Sequence, residues 1–116
     1  MKHIILLVVF TAIAFTCGAQ SNNQRQVAEY QRQASYYHNK AARHYDQARY
    51  YQAKAARHDN EAAYYYRKGN VDRAKVEQRD AKSALWNCNL EIKAGREAEN
   101  KAADYQRRAN ALKKKY

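Results

Sequence analysis

Small residues recur at every seventh position along two stretches of this chain. The first stretch is led by Val27 and continues with alanine at positions 34, 41, 48, 55 and 62. The second stretch consists of Ala74, Ala81, Cys88, Gly95, Ala102 and Ala109. A strict seven-residue apolar period over several heptads is typical of coiled-coil helices. Because alanine fills most of that period, the pattern predicts two long helices whose axes approach closely.

One break separates the two stretches, at residues 68–70. Gly69 suits the left-handed conformation that ends many helices, and Asn70 is a favourable N-cap for a second helix. Proline is absent from the chain, so nothing else interrupts the helical pattern. Two helices of matched length, 22–67 and 71–115, joined by a short turn should fold back antiparallel. The sequence therefore predicts an all-α protein, a long antiparallel two-helix hairpin of the alanine-rich coiled-coil type.

The first predicted helix contains a 14-residue repeat, which is two heptads long. Residues 36–44 recur as residues 50–58, and a third copy begins at Tyr64. With Ala41 taken as heptad position a, position d holds large amphipathic side chains. These are Tyr30, Tyr37, His44, Tyr51, His58 and Tyr65. The seam of this helix is therefore predicted to alternate a small residue with a large one.

A register follows if the large residues of the first helix face the small residues of the second, because such layers interdigitate. Symmetry about the turn then places His44 opposite Gly95 and His58 opposite Ala81. This register gives Gly95, which otherwise weakens a helix, a role in packing. The pattern resembles the tight antiparallel packing known as an alanine coil, a likeness of packing that assigns no family.

Residues 1–19 differ in composition from the rest of the chain. Lys2 precedes the apolar residues 4–15, and a small-x-small ending closes the segment. This order is typical of a secretory signal peptide. We therefore expect a secreted hairpin of residues 20–116, with no transmembrane span after cleavage. Two alternatives remain: an uncleaved anchor, although the apolar run is shorter than the roughly 20 residues a spanning helix needs, and a bacterial lipoprotein attached through Cys17.

The remainder of the chain has few large aliphatic residues to build a core. They are Val27, Val71, Val76, Leu85, Leu90, Ile92 and Leu112. Apolar burial stabilises by about 25 cal/mol per Å², so a seam made mainly of alanine gives a thin core. A lone two-helix hairpin of this kind is marginal in stability. We therefore expect the chain to associate with itself into a larger bundle.

The chain is strongly basic, with a formal net charge of +11. Removal of the predicted signal peptide takes away one lysine and no acidic residue, so the charge stays high. Such a balance favours anionic partners, namely an anionic polymer, lipid headgroups or a mineral surface. Secretion disfavours an intracellular role in binding nucleic acid.

Tyrosine is the unusual component, with 11 residues. Tyr36, Tyr50 and Tyr64 fall at heptad position c, which should face water. Tyr45 and Tyr66, at position e, are expected to flank the seam. A row of outward tyrosines beside basic residues suits three roles: packing a neighbouring hairpin, stacking on sugars or bases, or oxidative cross-linking.

Cysteine and histidine offer little predicted chemistry. After cleavage Cys88 is the one remaining cysteine, predicted either as a small seam residue or as half of an intermolecular disulfide. A metal site on one helix needs ligands spaced i, i+3 or i+4, and no two of His38, His44 and His58 have that spacing. The sequence therefore predicts no metal site within one hairpin, although an assembled bundle could bring histidines together. No catalytic motif or phosphate-binding loop occurs, so neither an enzyme nor a cofactor is predicted.

These features together favour a secreted, non-enzymatic structural protein. It is expected to associate with itself and to bind anionic material in an extracellular matrix, coat or adhesive. The alternative is a bacterial periplasmic protein, either a helical binding protein or a holdase chaperone. A signal peptide suits both, so the sequence leaves the choice and the source kingdom open.

Overall fold

Two long antiparallel helices make up the described part of the molecule, a computed structural model that describes residues 22–115. Helix α1 spans Asn22–Arg67 and helix α2 spans Val71–Lys115. No strand occurs between these limits, and the hairpin measures 75 × 22 × 15 Å. The predicted fold, an all-α antiparallel hairpin, is confirmed. The predicted signal peptide at 1–19 and the alternative lipid attachment at Cys17 lie outside the described residues.

The turn is closed by Gly69 and Asn70. Gly69 has a φ of 78°, and its N–H donates to the carbonyl of Tyr66 at 3.1 Å. The N–H of Asn70 donates to the carbonyl of Tyr65 at 2.9 Å, which completes a Schellman motif. The side-chain oxygen of Asn70 then accepts a hydrogen bond from the N–H of Arg73 at 3.1 Å. Asn70 therefore takes part in ending α1 and also caps α2.

The small heptad series lie in the interface between the helices. On α1 every member is buried: Val27, Ala34, Ala41, Ala48, Ala55 and Ala62. On α2 the series is also buried except at Ala102, which is half-buried. A second row on α2, three residues after the first, contributes the further buried residues Glu77, Ala84 and Ala98. The interface thus uses one row of α1 and two rows of α2 for its most deeply buried residues.

Two of the large residues on α1, His58 and His44, have hydrogen-bonding partners on α2 that the sequence analysis did not predict. His58 hydrogen-bonds to Glu77 at 2.7 Å, and His44 hydrogen-bonds to Glu91 at 2.9 Å. Both glutamates belong to the second row of α2 rather than to its small series. The prediction considered only side-chain size, whereas a half-buried imidazole also needs a hydrogen-bonding partner.

Gly95 does have a packing role, but against Tyr45 rather than His44. A Cβ at Gly95 would lie 2.8 Å from Cε1 and 2.9 Å from Cζ of the Tyr45 ring. Any side chain at position 95 would therefore displace that ring. The absence of a side chain lets the Tyr45 ring lie across α2.

The interface contains no large side chain that is fully buried within the described residues. Its buried apolar members are alanines, together with Val27 and Cys88. Each methyl group contributes only about 0.8 kcal/mol on burial. The half-buried tyrosines and histidines that border the alanines therefore matter for both cohesion and specificity.

Candidate functional site

Three copies of the sequence Tyr-Tyr-x-x-Lys run along α1 and into the first residue of the turn, and we call the surface they form the tyrosine–lysine face. The first tyrosines are Tyr36, Tyr50 and Tyr64, and the lysines are Lys40, Lys54 and Lys68. The exposed fractions of these first tyrosines are 53%, 58% and 48%. They therefore present their rings to solvent. The 14-residue period spaces the copies about 21 Å apart along the helix.

The two tyrosines of each copy contact one another. Their ring centroids lie 5.1, 5.4 and 5.3 Å apart in the three copies, in edge-to-face geometry. The second tyrosine of each copy is half-buried in the seam. Edge-to-face ring pairs are stabilising beyond the area that they bury. Each outward ring is thus held against an anchored one.

Two of these lysines lie over rings of their own copy. Lys68 Nζ lies 5.6 Å from the Tyr64 ring centroid, and Lys40 Nζ lies 5.9 Å from that of Tyr37. A cation within about 6 Å of a ring is attracted to its face. Aromatic surface and positive charge are therefore adjacent on this face.

Cations of α2 complete the inner side of the same face. Lys101 Nζ lies 5.2 Å from the Tyr37 centroid, and the Arg73 guanidinium lies 5.1 Å from that of Tyr65. Because both helices supply these groups, the face depends on the hairpin and not on α1 alone. An isolated α1 would lack part of its positive charge.

A cluster of rings lies at the end of the hairpin away from the turn. Tyr37 and Tyr105 stack with centroids 5.8 Å apart and an interplanar angle of 7°, and Tyr30 lies 6.0 Å from Tyr105. The Arg108 guanidinium lies 5.2 Å from the Tyr105 centroid and 5.9 Å from that of Tyr30. These contacts join the two helices at the end of the hairpin opposite the turn.

Tyr45 and Tyr66 bridge the two helices beside the seam. The hydroxyl of Tyr45 donates to Glu99 at 2.5 Å, and that of Tyr66 donates to Gln78 at 3.1 Å. The hydrogen bond to Glu99 is the main reason that the pKa of Tyr45 is raised above its ordinary value. Both phenols flank the seam, as the sequence analysis expected, and they lie on the same side of it because they are three heptads apart.

Two histidine–glutamate pairs lie in the seam 14 residues apart on each helix. The side chains of His58 and Glu77 are 18% and 7% exposed, whereas those of His44 and Glu91 are 29% and 22% exposed. The hydrogen bond from His58 is the largest cause that holds the pKa of Glu77 below its ordinary value. Arg73, whose Nε lies 3.6 Å from Glu77, adds to this effect. The pair nearer the turn is therefore the more deeply buried one.

The pair nearer the turn is surrounded by further carboxylates. One ligand atom each from His58, Glu77 and Asp80 lies within 4.8 Å of the others. Glu61, three residues after His58, also contributes to lowering the pKa of Glu77. Three groups able to bind a cation therefore come together from two helices, with Glu61 close to Glu77.

The sequence analysis missed the acidic members of this cluster because it compared histidines only with histidines. The signal was present in the spacing. Glu77 and Glu91 are separated by 14 residues, as are His44 and His58. Equal spacing on two antiparallel helices allows both pairs to form at once. Glu77 and Glu91 could therefore have been matched to His58 and His44 from the sequence.

Cys88 is buried in the seam with 6% exposure and is a free thiol. Its burial agrees with a small seam residue. An intermolecular disulfide would need the two helices to separate locally, and it stays a prediction.

A patch of exposed apolar side chains lies near the middle of α2, and we call it the Trp86 patch. It comprises Leu85, Trp86 and Leu90, which are 45%, 64% and 45% exposed. Trp86 and Leu90 are one helical turn apart, so they share a surface. A large exposed aromatic residue of this kind is typical of interaction surfaces.

No protein-family model, curated protein sequence or solved structure matches this chain. Among the described residues, neither helix is apolar enough over a sufficient length to cross a membrane. The features of this chain that bear on its function are the tyrosine–lysine face, the seam between the helices and the net positive charge.

Proposed function

We propose that this chain is a secreted, non-enzymatic structural protein that binds extended anionic material and associates with itself. Its place would be an extracellular matrix, coat or adhesive. The observation that carries the proposal is the tyrosine–lysine face, which repeats an aromatic ring and a positive charge three times along α1 and the start of the turn. A periodic face suits a partner that is itself extended, such as an acidic polysaccharide.

Charge supports the same proposal. The chain has 22 Lys and Arg against 11 Asp and Glu. Part of the acidic complement is used inside the hairpin, since Glu77, Glu91 and Glu99 bond to residues of α1. The positive charge is therefore left in greater excess on the outer surface, where it attracts polyanions.

Rings and charges contribute to binding in different ways. Attraction between exposed charges is screened by salt, since the Debye length falls from about 10 Å at 0.1 M to 3 Å at 1 M. Stacking of an aromatic ring on a sugar or another flat group persists at high salt. Where the partner is a nucleic-acid base, such stacking contributes about 1–3 kcal/mol of binding free energy per ring. We expect binding to weaken steeply with salt and to retain a remainder that depends on the outward tyrosines.

The test replaces Tyr36, Tyr50 and Tyr64 together by serine and measures retention on an immobilised acidic polysaccharide as salt is raised. The variant should keep its helical circular dichroism and lose the salt-resistant part of binding. The matched control replaces three exposed alanines of α1 by serine: Ala42, Ala56 and Ala63. Equal retention of the parent and the tyrosine variant at high salt would remove the main support for the proposal.

The alternative is a bacterial periplasmic protein, either a helical binding protein or a holdase chaperone, and the Trp86 patch favours it. A holdase binds exposed apolar segments of unfolded clients, and Trp86 offers such a contact. The discriminating measurement is suppression of aggregation of a reduced, unfolded client protein. Suppression that is lost on Trp86→Ser, with weak polysaccharide binding, would favour the holdase.

A further inference from the structure

We propose that His58, Glu77 and Asp80, with the adjacent Glu61, form a binding site for a divalent first-row transition-metal cation that links α1 to α2. The proposal goes beyond the binding of anionic material and does not rest on it. Its basis is the donor set, its placement on two helices, and an internal comparison that the repeat of this chain supplies.

The donor set comes from two i, i+3 pairs at the same level of the hairpin. His58 and Glu61 are three residues apart on α1, and Glu77 and Asp80 are three residues apart on α2. Residues three apart share one face of a helix. Bundle metal sites are commonly built from such pairs on facing helices, with carboxylate and imidazole donors. The arrangement here brings one imidazole and two carboxylates close together, and Glu61 lies on the same face of α1 as His58.

The distances fit an ion after a small adjustment. Atoms of His58, Glu77 and Asp80 already lie within 4.8 Å of one another. Metal–donor bonds of about 2.0–2.2 Å place tetrahedral ligand atoms roughly 3.3–3.5 Å apart. Asp80 must therefore move inward, and the 2.7 Å separation of His58 and Glu77 must widen slightly. The ion takes the place of the hydrogen-bonding proton between these two residues, and that proton passes to solvent.

The charge around the site also suits a cation. The carboxylates of Glu77 and Asp80 lie together here, with Glu61 near Glu77, in a chain whose net charge is +11. Arg73 is the cation paired with Glu77, and its side chain is 55% exposed. It can therefore turn outward towards Tyr65, whose ring it already contacts, when an ion neutralises the carboxylates. A mixed set of imidazole and carboxylate donors favours zinc, iron or manganese over calcium and magnesium.

The second histidine–glutamate pair provides the internal comparison. His44 and Glu91 repeat the bond between His58 and Glu77 one 14-residue period further from the turn. The positions that correspond to Glu61 and Asp80 are Gln47 and Ala94. The outer pair thus has the seam hydrogen bond without the additional donors. Glu61 and Asp80 are therefore the donors that distinguish the inner pair from the outer one.

The experiment titrates the full chain with Zn²⁺ by calorimetry and with Co²⁺ by visible absorption, which reports the coordination geometry. We expect one ion per chain, a raised thermal midpoint in Zn²⁺, and no such effect with Ca²⁺. Asp80→Ala should lower the Zn²⁺ affinity at least tenfold while keeping the helix, since alanine is the better helix former. His44→Asn, the matched control, should leave the affinity unchanged.

A gain-of-function variant keeps the proposal testable even if loss variants unfold. Gln47→Glu with Ala94→Asp reproduces the proposed donor set around His44 and Glu91 and should add a second ion per chain. The proposal is overturned if the parent chain binds neither Zn²⁺ nor Co²⁺. It is equally overturned if Asp80→Ala binds as the parent does, or if His44→Asn loses as much affinity as Asp80→Ala.

Discussion

At the scale of single residues, the hairpin depends on a few contacts that its repeat does not reveal. Gly95 makes one of these contacts. The ring of Tyr45 occupies the space that a side chain at position 95 would need, so the glycine is required by packing and not by a turn. The same ring carries the hydroxyl that donates to Glu99. A substitution at position 95 therefore acts through Tyr45, and its effect can be separated from that of helix propensity.

We predict that the effect of Gly95→Ala depends on Tyr45. In the parent chain the new Cβ displaces the ring, and this overpacking should cost about 1–3 kcal/mol of stability. The higher helix propensity of alanine opposes that loss by about 1 kcal/mol. In a Tyr45→Ala background the three atoms nearest to that Cβ are gone, and the substitution should stabilise by about 1 kcal/mol. Thermal unfolding of the four chains gives the coupling energy. A coupling of zero would mean that the ring does not restrict position 95.

At the scale of elements, α1 and α2 are held by a closely packed seam and a tight turn. The turn combines a left-handed glycine with an asparagine cap, so the reversal of the chain needs only three residues between the helices. The seam relies on small side chains that let the axes approach. Each feature has a substitution that affects it alone.

The turn is tested by Gly69→Ala. A Cβ at this position meets nothing within 4 Å, so the only penalty is the left-handed backbone conformation. We expect a loss of about 1–2 kcal/mol in unfolding free energy. Gly69→Asn should lose less, since asparagine tolerates this conformation better. Equal losses for the two variants would contradict the role of backbone conformation, and chemical denaturation measures both.

The seam is tested by Ala55→Leu. Ala55 is 2% exposed, so three further carbon atoms force the helices apart or the side chain into strain. We expect a loss of about 1–3 kcal/mol. Arg57→Leu, two residues away on an exposed position, adds a similar side chain and should change stability little. If both substitutions are tolerated equally, the alanine row is not the close contact.

At the scale of the whole molecule, an elongated hairpin 75 Å long offers much surface for its mass. Its interior contains no fully buried large side chain, whereas Trp86 is 64% exposed. This distribution is the reverse of what a self-sufficient globular domain shows. Association of hairpins would bury the residues that folding leaves exposed.

We predict that the chain associates reversibly and that the Trp86 patch is part of the contact. The double variant Trp86→Ala, Leu90→Ala should weaken association by about tenfold or more, since a tenfold change corresponds to only 1.4 kcal/mol of binding free energy. Both changes raise helix propensity, so a loss of association would not reflect a loss of helix. Sedimentation equilibrium measures the association constant. The control is Val71→Ala, at an exposed position beside the turn. Unchanged association in the double variant would place the contact elsewhere, the tyrosine–lysine face being the first surface to test.

The sequence by itself determined that this chain forms two long helices folded back on each other. A seven-residue period of small residues, the glycine and asparagine of the turn, and the lack of proline are local signals. They act through helix geometry and backbone conformation, which depend on neighbours along the chain. The outward position of Tyr36, Tyr50 and Tyr64 followed from the same periodicity.

Only the tertiary structure decided which residues meet across the seam. An alanine row tolerates more than one register, because its members are alike, and side-chain size alone did not reveal the hydrogen-bonding partners of His44 and His58. In the folded hairpin Glu77 and Glu91 meet the two histidines, which satisfies polar groups that burial would otherwise leave unpaired. The approach of Glu77 and Asp80 to His58 depends on the same packing, since residues 19 and 22 positions apart along the chain become neighbours only when two helices pack in one register.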